Sequence, residues 1–113
     1  MVRIDMNECA EPCEPCSIIW ETSIRSSAVP KLSTADELIY TVERRAPSGR
    51  SYTTAVDSYY FTVIDFNSGE ILDKSEKIHF GMFGDTLQIA WNIGKEGVYW
   101  QGTLSGVVRI TSN

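Results

Sequence analysis

The stretch Tyr59-Tyr60-Phe61-Thr62-Val63-Ile64-Asp65-Phe66-Asn67-Ser68-Gly69-Glu70-Ile71-Leu72 reads as strand, tight turn and strand. Its first run is built of β-branched and aromatic residues, which suit a pleated, half-buried surface. Asn67-Ser68-Gly69 then supplies a residue that tolerates positive φ, as a tight hairpin turn requires. A hairpin cannot cover its own apolar face, so the rest of the chain must pair with it and bury it.

The other segments follow the same grammar. Residues 1–7 put Val2 and Ile4 on one face of a short strand and Arg3 and Asp5 on the other. Ile18-Ile19-Trp20 is a compact apolar run. Pro30 biases Val29 towards extended backbone. Leu38-Ile39-Tyr40-Thr41-Val42 has strand composition. Residues 70–75 form the return strand, and residues 77–83 a further extended piece. Leu87, Ile89 and Trp91 alternate within 86–92, Gly97 closes a turn, and 98–103 and 106–110 supply two last strands. Helical signal is confined to residues 34–38, too short for a packed helix. The expectation is an all-β antiparallel meander of roughly eight or nine short strands, at the spacing of sandwiches, barrels and propellers. Two loops interrupt it: a Cys/Pro loop at 8–17 and a long polar loop at 43–57.

The length of 113 residues allows one domain with a modest core. A net charge of −5 argues against nucleic acid as partner, which calls for clustered Lys and Arg. Apolar runs are only a few residues long, so no membrane span is expected. Residues 1–7 lack the apolar stretch of a signal peptide, so no export address is expected, and the compartment stays open.

Cys9, Cys13 and Cys16 are the weak metal candidates. Their C-x3-C-x2-C spacing is similar to the iron–sulfur signature of radical SAM enzymes. Those enzymes carry it in an α/β barrel, for which this chain has neither helices nor length. A zinc site would need a fourth ligand, and the single histidine, His79, is distant in sequence. The alternatives are one disulfide with one free thiol, or three free thiols. His79 alternates with apolar neighbours as a strand histidine does. Asp57, Asp65, Asp73 and Asp85 offer carboxylates for a glycosidase pair, but Asp65 suits a turn and Asp85 a Gly-Asp turn. No cofactor is called for. The one local basic patch is Arg44, Arg45 and Arg50 with Tyr52. It suits a small anionic ligand, with the phenol as a stacking surface; the alternative is a solvated hairpin loop. Tyr59, Tyr60, Tyr99 and Trp100 would suit a carbohydrate, the alternative being core or blade-to-blade packing.

Val63-Ile64-Asp65-Phe66-Asn67-Ser68-Gly69-Glu70-Ile71-Leu72 resembles the blade repeat of PQQ-like, quinoprotein-type β-propellers. Asp65, Ser68, Gly69 and Glu70 match the family's small-x-Asp-x-x-Thr-Gly-Lys/Glu-x-x-Trp pattern. Val63 stands for its small residue and Asp73 for its docking Trp. Residues 93–110 and 27–40 are similar to the blade phrase of turn and strand. Residues 1–7 also echo 107–113, sharing Val, Arg, Ile and Asn in register. The resemblance implies about two propeller-like blades: a single all-β domain over 1–113, or the C-terminal portion of a longer propeller. A small β-sandwich or barrel is the alternative. Two blades leave aromatic faces uncovered, so the implied partner is the chain itself or the remainder of a propeller. The function expected is a non-catalytic binding or interaction module. The alternative is a fragment of a propeller-based oxidoreductase or hydrolase, against which the departure at Asp73 weighs.

Overall fold

The computed structural model describes residues 1–9, 15–53, 55–87, 89 and 91–111. Among the described residues, nine strands form three antiparallel sheets and no α-helix occurs. β1 (Val2–Ile4) pairs with β2 (Ile18–Glu21). β3 (Lys31–Ser33), β4 (Leu38–Arg45), β5 (Ser58–Asp65) and β6 (Ile71–Phe80) follow one another in a four-stranded meander. β7 (Trp91–Ile93), β8 (Tyr99–Thr103) and β9 (Gly106–Ile110) form the last sheet. The all-β meander expected from the residue pattern is therefore the fold.

The central sheet is buried on both faces, because strand side chains alternate between them. Tyr40, Val42, Phe61 and Val63 pack towards the last sheet, against Trp91, Tyr99 and Ile110. The Trp91 ring meets Phe61 edge to face at 5.9 Å. Ile39 and Ile64 pack the other way, with Trp20 and Ile24. The sheets thus stack as three layers, two-, four- and three-stranded.

Three local readings differ from the sequence expectation. β4 runs on through Glu43, Arg44 and Arg45, which the sequence places in the 43–57 loop; these residues pair with Tyr60, Tyr59 and Ser58. Their charges are met by Asp57, Glu43 and Lys74, so the ladder continues. Residues 71–80 form one long strand with irregular register, where the sequence suggests two pieces. Leu87 and Ile89 lie in a turn and not in a strand, despite their alternation. Asp85 Oδ1 accepts the Leu87 N–H at 2.9 Å, Leu87 adopts φ 46°, and Ile89 N–H donates to the Thr86 carbonyl.

The hairpins β1–β2 and β5–β6 are equivalent, register for register. Val2↔Glu21, Arg3↔Trp20 and Ile4↔Ile18 correspond to Thr62↔Lys74, Val63↔Asp73 and Ile64↔Ile71, with an irregularity after Arg3 and after Val63. Asp5 Oδ1 accepts the Asn7 N–H at 2.9 Å, and Asp65 Oδ1 accepts that of Asn67 at 2.8 Å. Asp5 N–H closes on the Ser17 carbonyl, and Asp65 N–H on that of Glu70. Ile-Asp-x-Asn occurs in both, at residues 4–7 and 64–67. The first hairpin holds seven extra residues, and the Cys9–Cys16 disulfide spans that same sequence separation of 7. Its Cα–Cα distance of 4.3 Å closes the base of the longer loop.

The equivalence extends to β9. Ile110 shares the pattern of Ile4 and Ile64 and packs back towards the central sheet. Tyr99 and Trp100 pair with Ile110 and Arg109 as Ile39 and Tyr40 pair with Ile64 and Val63. Each sheet therefore presents Ile64-type residues to the layer before it and Val63-type residues to the layer after it.

Candidate functional site

Two openings concentrate chemistry, one at each side of the interface between the second and third layers. The first begins where residues 25–27 run beside the end of β4. Arg44 N–H donates to the Arg25 carbonyl and Ser27 N–H to that of Val42, both at 2.9 Å. This pairing sets two guanidinium side chains side by side. Arg25 lies 4.0 Å over the Tyr52 ring and Arg44 lies 6.0 Å from it. Arg44 Nε donates to Asp57, whose carboxylate is fully buried and also accepts Thr53 N–H at 3.1 Å. Burial opposes the Arg44 charge, but the hydrogen bond to Asp57, with Tyr59 and Asp85 nearby, outweighs it and raises the guanidinium pKa. Arg25 has no carboxylate within ion-pair distance among the described residues. Asp85 and Leu87 form the facing wall, tied to Ser27 through the 2.7 Å Ser27–Thr86 hydroxyl contact. The opening measures about 440 Å³. Behind it the Tyr59 hydroxyl is buried without a partner among the described residues. Its pKa is pushed up, first by burial and then by the negative charge of Asp85.

Of the residues singled out from sequence, Arg44 and Tyr52 meet here. Arg45 points to the other side of β4, 5.2 Å from the Tyr60 ring and 3.4 Å from Glu43. Arg50 sits in the turn that its N–H closes on the Pro47 carbonyl. Arg25 was not read from sequence: it lies in a polar stretch, and only strand pairing brings it to Arg44. A guanidinium stacked on a phenol with free donors binds carboxylate or phosphate edges.

The second opening, about 490 Å³, lies between β6 and β9 and is lined by Tyr40, Phe61, Leu72, Asp73, Tyr99 and Ile110, among others. Its geometry follows from the hairpin equivalence. In the first hairpin the position across from Arg3 holds Trp20, whose indole covers Gly69 and donates to the Phe66 carbonyl at 2.8 Å. Arg3 donates to the same carbonyl and lies 3.8 Å over the Phe66 ring. The first hairpin thus places an indole against the second layer, at the hairpin position that corresponds to Asp73. In the second hairpin the corresponding residue is Asp73, which leaves the next contact open.

Among the described residues, the remaining candidates assemble no reactive group. Cys9 and Cys16 are joined as a disulfide, so neither offers a thiolate; Cys13 lies outside the described residues. His79 Nδ1 contacts the backbone of Phe80, and the ring rests on Gly84. Asp65 caps its turn, accepting from Asn67 N–H, Ser68 N–H and the Ser68 hydroxyl. Among the described residues no helix is long and apolar enough to cross a membrane. No family model matches the chain, and no curated protein or solved structure matches it either.

Proposed function

We propose that the chain is a non-catalytic binding module of β-propeller-like build, whose layers stack as successive blades and whose outer faces take further blades. The observation that carries this reading is the repeat of one hairpin with one facing rule. Ile64 is fully buried, whereas its equivalent Ile4 is 45 % exposed on the outer face of the first layer. Tyr40 is 7 % exposed, whereas its equivalent Trp100 is 46 % exposed on the outer face of the last layer, beside Arg109. Positions covered inside the chain are uncovered at both ends of the stack, and apolar faces of that kind need a partner. The partner is a second copy or the remainder of a longer propeller. The Arg25–Arg44–Tyr52 opening is the ligand surface of the module and takes a small anion. Sedimentation over a wide concentration range tests the assembly. The chain alone should exceed its 12.7 kDa mass as concentration rises, and Arg109→Glu, with unchanged circular dichroism, should return it to a monomer. A wild-type chain that stays monomeric throughout refutes the uncovered-blade reading. Titration with inorganic phosphate should raise the unfolding temperature of the wild type and not of Arg25→Ala.

A further inference from the structure

We infer that the opening between β6 and β9 is a binding site for a planar aromatic amine. The inference rests on the equivalence of the two hairpins within the repeat reading, and not on assembly with copies. The contact between the first and second layers is completed by an indole from β2, held by a hydrogen bond and by stacking over Gly69. The contact between the second and third layers has the same strand positions, but Asp73 occupies the place of that indole. Asp73 is a short carboxylate at that position, and an opening of about 490 Å³, within the range of small-molecule sites, lies beside it.

The lining says what the occupant is. Tyr40, Phe61 and Tyr99 form one aromatic cluster, with Tyr40 and Tyr99 ring centroids 4.9 Å apart and Phe61 and Tyr99 5.1 Å apart. Leu72 and Ile110 flank it. Such walls favour a flat apolar ring. The aromatic faces also attract a cation. Asp73 is exposed at the edge, with Oδ1 taken by Lys74 N–H and no ion-pair partner among the described residues. Its charge selects an ammonium over a carboxylate on the incoming ring.

The test uses tryptamine as probe on the full chain, followed by calorimetry and by amide shifts of Tyr40, Leu72 and Ile110. Tryptamine should bind, and indole-3-acetate should bind more weakly. Asp73→Asn should weaken tryptamine about threefold, the scale of one exposed charge pair. Asp73→Trp should abolish binding and raise the unfolding temperature, because the side chain fills the site. Absence of tryptamine binding at about millimolar concentration, equal binding of the two indoles, or unchanged affinity in Asp73→Trp overturns the inference. If Asp73→Trp is stabilised while the wild type binds no tryptamine, the hairpin equivalence stands and the ligand site falls. The sedimentation behaviour and phosphate response of the module are separate readouts and do not depend on Asp73.

Discussion

Gly69→Ala, made alone and together with Trp20→Ala, isolates the contact between the first two layers. Gly69 has φ 75°, and a Cβ built there lies 2.6 Å from Trp20 Cδ2 and 2.7 Å from Cε3. Two costs follow from those facts. A left-handed conformation costs an L-residue about 1–2 kcal/mol, and forcing the packed ring aside costs about 1–3 kcal/mol. The single substitution should therefore destabilise the chain by about 2–5 kcal/mol. Trp20→Ala alone should cost about 3–5 kcal/mol, since the ring is buried and its N–H is bonded to Phe66. With the ring gone, the alanine methyl meets no obstacle, and Gly69→Ala should cost only its backbone share of about 1–2 kcal/mol. The coupling between the two changes is then about 1–3 kcal/mol, in the favourable direction. Urea unfolding followed by far-ultraviolet circular dichroism reads all four chains, because Trp20 itself contributes to fluorescence. Sulfate in the buffer keeps the weakest chain folded at the start. Costs of Gly69→Ala that agree within about 0.5 kcal/mol in the two backgrounds would refute the stacking of the indole on this turn.

Three further outcomes are expected. Arg44→Met strips the buried Asp57 carboxylate of its cation and should cost about 3–5 kcal/mol by denaturant titration at neutral pH. The Asp65 carboxyl is held below its ordinary 3.8, first by the Ser68 N–H, then by the Ser68 hydroxyl and the Asn67 N–H. A depressed folded value gives stability that is present above the unfolded value and lost as pH falls through the folded one. The urea midpoint should therefore drop as pH is lowered from about 5 towards 2, and this acid limb should be shallower in Asp65→Asn. Reduction of Cys9–Cys16 should lower stability by about 2 kcal/mol, on the loop-entropy scale for so short a ring.

The parts of the fold that sequence makes readable are those fixed by neighbours. Asp65, Asn67 and Gly69 specify a turn through contacts two to four residues apart, and the turn forms as read. The first copy of that turn is harder to see. Ile4-Asp5-Met6-Asn7 matches Ile64-Asp65-Phe66-Asn67, but the seven extra residues carry its return strand out of step, so Trp20 does not align with Asp73. A search for Ile-Asp-x-Asn would have found it. Leu87 and Ile89 alternate as a strand does, yet Asp85 is placed to cap a turn, and the local hydrogen bond prevails. Arg25 joins the guanidinium pair at the anion site through pairing across 19 positions of chain, by its carbonyl's bond to Arg44, and no periodicity announces such a neighbour. Arg45 and Arg50 share the run with Arg44, but strand alternation and a turn send them elsewhere.

The disulfide changes what the first loop is. Through the sulfur bridge, the route from Asp5 to Ser17 is Asp5 to Cys9, across, and Cys16 to Ser17. That route is nearly as short as the plain peptide route from Asp65 to Glu70, because the 4.3 Å bridge is close to one residue's stride of about 3.8 Å. The peptide between Cys9 and Cys16 is then a side branch on a closed circuit. A protease cut within it leaves strands β1 and β2 covalently joined, and residues exchanged or inserted there do not lengthen the path the hairpin must close.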